Sequence, residues 1–536
     1  MNWFRSFVIF LGLSLVGVKA RGEEPLPPHE PQIAVASKEA EQAISGFKVP
    51  AGLKVEVVAA EPLLANPVAF FIDNRGRFFV CETFRQTTAI ADNRNHAEWL
   101  GDDLAAQTVA DRLKYIHKHL KEKAVEYTQQ DDRIRLVEDT NGDGKADKAT
   151  VFAAGFNRIE EGTGAGVLVC GDDVYYTNIP NLWRLRDKDK DGKAEERTAL
   201  HTGYGVRFAF RGHDMHGLIL GPDGRLYFSI GDRGFNVKTQ EGKQIVHPQC
   251  GAVLRCELDG SNLEVFATGL RNPQELAFDD YGNLFTGDNN SDSGDQARWV
   301  YVVEGGDSGW RMEYQYLPDR GPFNREKIWH PFHEGQPAYI VPPVANLASG
   351  PSGLAFYPGT GLPEHFKQRF FLVDFRGTPA NSGVRTFRVK PKGAGFEVAD
   401  AEETLWSVLA TDVDFGPDGA VYLTDWVNGW NGEGKGRIYR YSSPEVSASA
   451  EVQDVKKLLN EGFAQRPTDE LVKLLAHADR RVRQEAQFAL AEKNETAALT
   501  KTALNVPNLL SRLHGIWGLS QIARRETDGI GAKRMG

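Results

Sequence analysis

Six times between Val68 and Thr424 the sequence repeats one unit: a strand, a turn containing Asp or Gly, and a second strand rich in aromatic and β-branched residues. The turns centre on Asp73-Asn74-Arg75-Gly76, Gly171-Asp172-Asp173, Gly221-Pro222-Asp223-Gly224, Asp279-Asp280-Tyr281-Gly282, a longer turn within Gly353 to Asp374, and Gly416-Pro417-Asp418-Gly419. One hairpin cannot bury both of its faces. Six four-stranded units arranged radially can, so the repeat predicts an all-β, six-bladed β-propeller over residues 49–441. A β-sandwich with insertions would not require one motif repeated along most of the chain. The 55 glycines, 26 prolines and 10% aromatic residues suit many short strands joined by tight turns.

Two stretches break the pattern. From Asn93 to Gln130 the apolar residues Leu104, Val109, Leu113, Ile116 and Leu120 fall near helical spacing, which predicts a helical insertion beside the first blade. After Tyr441, residues 442–450 form a Ser/Pro/Ala linker, and 451–536 carry helical periodicity. There, Leu471-Val472-x-Leu474-Leu475 leads into Asp479-Arg480-Arg481-Val482-Arg483, and Leu509 to Leu519 begins a second unit. This tail is similar to HEAT repeats, an α-helical solenoid. Its end at Gly536 without a capping helix leads to the expectation that the solenoid is truncated.

With Lys+Arg 63 against Asp+Glu 73, the net charge is -10 and no basic stretch could track a run of phosphates, so nucleic acid is an unexpected partner. Arg5, the apolar run Phe7 to Val18 and the small residue Ala20 read as a secretory signal over residues 1–20. The run is too short for a membrane span. The protein is expected to be exported, to the periplasm or cell surface, with 21–48 as a mobile N-terminal segment. Cys81, Cys170, Cys250 and Cys256 are too scattered for a disulfide scaffold, and Cys250 and Cys256 flank a strand that holds them apart. None begins a Cys-x-x-Cys-His sequence, so no covalent haem site is expected in this chain.

Two acidic loops share a spacing: Asp139-x-Asn141-x-Asp143-Gly144-x-x-Asp147 and Asp187-x-Asp189-x-Asp191-Gly192-x-x-Glu195. Oxygen ligands at positions 1, 3, 5 and 9 with glycine at 6 match the start of a calcium loop. Both have threonine, Thr150 and Thr198, where such a loop carries its bidentate glutamate. Structural calcium is expected at the first loop and less firmly at the second; the alternative for each is a polar hairpin turn without an ion.

Two further motifs, His213-Asp214-Met215-His216 leading to the Gly221 turn and Arg271-Asn272-Pro273-Gln274, carry a resemblance. The stretch 49–441 resembles the soluble glucose and sorbosone dehydrogenases, quinoproteins that use pyrroloquinoline quinone with calcium. The whole layout looks like the membrane-bound dehydrogenases predicted in planctomycetes and verrucomicrobia, in which HEAT repeats and a c-type haem module follow the propeller. The resemblance implies that His213 is the base for a sugar or alcohol hydroxyl and that His216 is structural; Asp214, between them, is the candidate to orient either histidine. It implies that Arg271, Asn272 and Gln274 contact the cofactor and that the Asn289 to Ser291 stretch coordinates quinone and calcium. It also implies a cytochrome or haem-domain electron acceptor. One departure stands out: Leu409-Ala410-Thr411-Asp412 occupies the place where that family carries an Arg-x-Arg-Asp pair for the quinone carboxylates. Arg376 and Arg311 are the candidates to compensate. The reading is a quinone-dependent dehydrogenase. The alternatives are a non-catalytic binding propeller with a HEAT surface for protein partners, and a calcium-dependent hydrolase or lactonase on the same propeller.

Overall fold

The computed structural model describes residues 26–528 apart from 91, 209 and 334. Residues 1–20, which the sequence reads as a secretory signal, lie outside the described residues. Each of the six hairpins forms the inner pair of a four-stranded antiparallel sheet, and the six sheets make the blades of a propeller. Blade 1 comprises Pro67–Ile72, Phe78–Glu82, Asp132–Glu138 and Lys148–Phe156. Blade 3 comprises Met215–Leu220, Leu226–Ile230, Gly251–Cys256 and Glu264–Leu270. Blade 6 takes three strands from Ala410 to Ser442 and its outer strand, Lys54–Ala60, from the other end of the chain. Val55 lies opposite Tyr441 in that pairing, so sequence-distant segments complete the last blade and close the ring.

The inner-strand register slips near its start in five blades, after Pro67, His216, Pro273, Pro351 and Ala410. Such bulges bend a strand and re-aim the residues ahead of it. Here those residues lie at one mouth of the central channel, called the upper face below. The helices Leu100–Ala105 and Val109–Leu120 emerge between the second and third strands of blade 1, as the spacing predicts. The N-terminal segment differs from expectation. From Leu26 onward it is tied down, by Leu26 N to Thr128 Oγ1 (3.0 Å), His29 N to Gln129 O (2.8 Å) and Ala34 N to Gly434 O (2.8 Å). Main-chain hydrogen bonds to two different blades are what immobilise it.

The tail is helical, with Ala450–Glu461, Thr468–Leu474, Arg480–Glu492, Thr496–Asn505 and Leu509–Asp528 around their own apolar core. It does not hang from a linker. The charged turn at Asp479 docks onto the lower face: Arg481 Nη1 donates to Phe415 O (3.1 Å) and Gly416 O (2.8 Å), Arg483 pairs with Asp280 (2.5 Å), and Gln487 donates to Pro222 O (2.7 Å). The helices therefore cover turns of blades 3, 4 and 6 and leave the upper face as the open one. Among the described residues no helix is long and apolar enough to cross a membrane. All four cysteines are buried, and none of them is in a disulfide.

The propeller interior holds carboxylates. Burial pushes Asp132, Asp414 and Asp425 up to about 6 and Glu161 up to about 7. It also raises Asp412 and Glu275, whose inner strands face neighbouring negative charge. A carboxyl raised in the fold binds its proton more tightly than in the unfolded chain, so ionising it removes stability as pH climbs from its unfolded value, about 4, through the folded one. The melting temperature is therefore expected to fall between pH 5 and pH 8, and Glu161→Gln to flatten that slope. Calorimetry showing a higher melting temperature at pH 8 would contradict this.

Candidate functional site

Strand register assembles the site. Met215 pairs with Ile230 in blade 3, so the residue two positions before the first strand meets the residue two positions after the second. Those residues are His213 and Asp232. His213 Nδ1 lies 2.7 Å from Asp232 Oδ1, and Asp232 Oδ2 accepts from Trp310 Nε1 at 2.8 Å. His213 is 4% exposed and Asp232 1%. Burial pushes the Asp232 carboxyl up, but the His213 imidazole, the Arg271 charge and the Trp310 bond outweigh it and leave the group below its ordinary value. An ionised Asp232 at Nδ1 fixes the proton on that nitrogen and leaves Nε2 as the basic one.

This corrects the role expected of Asp214. Asp214 is fully buried, its carboxylate oxygens have no hydrogen-bond partner, and its charge partner is Arg233 Nε at 3.3 Å. The physical reason is strand geometry: Asp214 is one residue closer to the strand than His213 and faces blade 2, where a methyl on Gly162 would stand 2.2 Å from its Oδ1. His216 bonds Gly212 O through Nε2 at 3.0 Å, and burial holds it below its usual value, a neutral structural histidine.

Arg271 and Asn272 are the two residues between the outer strand of blade 3, ending at Leu270, and the inner strand of blade 4, Pro273–Phe278. Their amides donate to Asp288 Oδ1 at 3.0 and 2.8 Å, and Asp288 Oδ2 receives Arg298 Nη2 at 2.9 Å. Gln274 Nε2 reaches Gly212 O at 3.3 Å, joining the second motif to the first. Gly231 permits the approach: a methyl there would stand 2.7 Å from His213 O and 2.9 Å from Asn272 Oδ1, itself buried without a partner.

Arg271 is not the free clamp expected of it. It is fully buried, with its guanidinium donating to Asn290 O, to Asp292 Oδ2 at 2.8 Å and to Gln315 Oε1 at 3.0 Å, between the rings of Phe210 and Trp310. The loop after Asp288 folds back over it and supplies Asn290 O and Asp292 Oδ2, and the segment Met312–Tyr316 supplies Gln315 Oε1. Asn289 also differs from expectation: its Oδ1 accepts from Asn290 N at 2.8 Å, within its own loop, and its carbonyl is taken by Arg298. The structure thus brings together His213, Asn272 and Gln274, sets Arg271 behind them and turns Asn289 aside. Asp232, Trp310 and Asp288 complete the site and were not singled out from the sequence. Register counting around the Gly221 turn would have found Asp232. Trp310 arrives on a segment that runs up the edge of blade 3, Thr268 beside Asp307, and has no local signal.

A tricarboxylate quinone needs donors for its carboxylates. On the blade 6 side, Leu409 is fully buried and the Thr411 hydroxyl is shared between Pro67 O and Thr424 Oγ1, each at 2.9 Å. Arg376 is paired with Asp374 (2.8 Å) and Arg311 with Asp307 (2.5 Å), so neither compensates. The unpartnered atoms near His213 are the acceptors Asn272 Oδ1 and the Asp214 oxygens and one donor, Arg233 Nε, which faces Asp214 at 3.3 Å. In this arrangement the residues present do not fit the quinone carboxylates.

The acidic loops connect the third and fourth strands of blades 1 and 2. In the second, one oxygen each from Asp187, Asp189, Asp191 and Glu195 comes within 4.8 Å of the others, and Asp187 Oδ1 is buried without a partner. The first loop, the one more firmly expected to bind calcium, forms no such cluster among the described residues. Asp139 accepts from Gly142 N and Gly144 N, Asn141 from Asp143 N, Asp143 from Lys145 N, and Asp147 from Thr140, so the turn's own amides satisfy its oxygens.

Quinoprotein glucose dehydrogenase B of Acinetobacter calcoaceticus is 32% identical to this chain over 136 residues, 20% of this chain and 28% of the relative, so the match spans little more than a quarter of the relative's length. A glucose dehydrogenase crystal structure aligns over 72% of this chain and 99% of its own at 15% identity, with a TM-score of 0.45. The quinone-bound aldose sugar dehydrogenase of Streptomyces coelicolor aligns over 74% and 99% at 18% identity, with a TM-score of 0.42. One family covers residues 39–445, nearly the whole span from the helix ahead of the closing strand to the end of blade 6, and the chain therefore belongs to the family described as Domain of unknown function (DUF7133).

Proposed function

We propose that the upper face is the active site of a sugar or alcohol dehydrogenase-like enzyme, with His213 as its general base. The observation that carries the reading is the buried chain Trp310 Nε1, Asp232, His213 Nδ1. It leaves Nε2 to take a proton from a hydroxyl, holds the imidazole in one orientation and stabilises the imidazolium that forms. The partial identity to a quinoprotein glucose dehydrogenase supports a sugar as the substrate class. Asp232 and Trp310 are positioning residues. No step is assigned to the quinone, because Arg271, Arg311 and Arg376 are each paired with a carboxylate of the protein. The test is a panel of aldoses and polyols incubated with the full chain and separate acceptors: pyrroloquinoline quinone with calcium, nicotinamide, flavin, and a cytochrome c. Turnover of a neutral sugar with one acceptor is expected. The second reading, a binding propeller without chemistry, is favoured by the internal commitment of Arg271, and absence of turnover across the panel would replace the first reading with it.

We further propose calcium at the second acidic loop, export of the chain, and a paired-repeat, HEAT-like organisation of the tail with a protein-binding role. A ligand bound only by the folded state stabilises it by about 2.7 kcal/mol at a hundred times its dissociation constant. Calcium added after EDTA is expected to raise the melting temperature. Asp189→Asn with Asp191→Asn is expected to abolish that response, while Asp139→Asn preserves it. No response in the unmodified chain would remove the ion from the account.

A further inference from the structure

Between the upper ends of blades 1 and 6 lies a cavity of about 390 Å³ that shares no lining residue with the His213 site. Blade 1 contributes Phe84 and Gln86, blade 6 contributes Trp426 and the turn 432–434, and the N-terminal segment, tied to blade 6 by Ala34 N to Gly434 O, adds residues 29, 30 and 32. Two lining residues hold buried polar atoms without a partner: the acceptor Gln86 Oε1 and the donor Trp426 Nε1, the latter on a residue 4% exposed. Native proteins pair such atoms, so a small side-chain shift that opened this donor and this acceptor to the cavity would let a ligand that offers both satisfy them.

The rest of the lining narrows the class. It contains no lysine or arginine, and it carries the carboxylates of Glu30 and Glu433, so it repels anions. The His29 imidazole, amides, the hydroxyls of Thr83, Thr87 and Thr88, and the Phe84 ring, which has the Arg133 guanidinium over it at 4.9 Å, remain. A hydroxyl both donates and accepts, which matches Gln86 Oε1 and Trp426 Nε1 together, and the apolar face of a pyranose matches an aromatic ring. The volume falls within the range of small-molecule pockets. We propose that this cavity is an accessory site for a neutral saccharide, closed on one side by the N-terminal strap and separate from the proposed catalytic site.

The proposal does not depend on the dehydrogenase reading, and binding separates the two. The full chain is titrated with D-glucose, maltose and cellobiose by calorimetry and saturation-transfer NMR, with glucose 6-phosphate and D-gluconate as anionic counterparts. A neutral sugar is expected to bind and the anions not to. Trp426→Phe keeps the ring and removes Nε1, and Gln86→Leu removes Oε1. Each is expected to weaken binding about fivefold to tenfold, the worth of one hydrogen bond, while His213→Ala leaves that binding event unchanged. The melting curve of each variant checks its fold. Three results would overturn the proposal: no neutral sugar bound at about 100 mM, far weaker than any specific site; binding undiminished in both cavity variants; or loss of binding in His213→Ala with retention in Trp426→Phe.

Discussion

His213→Ala is expected to lower the rate of sugar oxidation by about 10² to 10⁴, the usual contribution of a general base, with whichever acceptor supports the unmodified chain. The imidazole is the basic group buried at the channel mouth with one nitrogen already held by a carboxylate. Asp232→Asn is expected to lower kcat by a smaller factor with little change in KM. An amide can present its oxygen or its NH₂ to Nδ1, so it no longer selects one tautomer. A purely structural Asp232 would lower the melting temperature and leave kcat per folded molecule intact, and measuring both separates the two roles.

Asp288→Ala is expected to destabilise the fold by about 3–5 kcal/mol, the cost of breaking a buried ion pair by removing one partner. Asp288 is fully buried and accepts from the amides of Arg271 and Asn272 and from the guanidinium of Arg298, itself 3% exposed. Without it, two amides lose their acceptor and Arg298 keeps Asp295 as its carboxylate, at 3.4 Å. Urea denaturation reads the effect as a lower midpoint at constant slope. A change below about 1 kcal/mol would show that Asp295 substitutes for it.

The blades were legible because each is a local object. The turns at Asp73, Gly221, Asp279 and Gly416 place glycine or Asp-Gly where a tight reversal needs it, and the flanking strands show their hairpin pattern without help from the rest of the chain. His213, Asn272 and Gln274 come to one face for the same reason, since each stands just before or at the start of an inner strand and inner strands start at one face. The misassigned residues depend on contacts far apart in sequence. Arg271 looks free until the loop carrying Asn290 and Asp292 and the segment carrying Gln315 fold over it. Asp214 sits beside His213 in sequence, but strand alternation turns the two apart. The two acidic loops share their ligand spacing and their turn bonds, with amides donating to Asp139, Asn141 and Asp143 in the first and to Asp187, Asp189 and Asp191 in the second; what spacing does not set is where the side-chain oxygens point, and among the described residues four converge in the second loop. The docking of the tail on the lower face is encoded in the run Arg480 to Arg483, which reads locally as a charged surface turn and acquires its meaning only opposite Asp280, Phe415 and Gly416.

The base assignment can be tested by chemical rescue. His213→Ala leaves space beside Asp232 and Trp310 for a free imidazole, which can hydrogen-bond Asp232 and take the hydroxyl proton as the side chain does. The measurement is the rate of sugar oxidation by folded His213→Ala protein as imidazole is titrated, with His213→Ala/Asp232→Ala as the control. The account predicts a rate that rises with imidazole in the single variant and stays flat in the double one. Oxidation by His213→Ala at the unmodified rate without imidazole would contradict it.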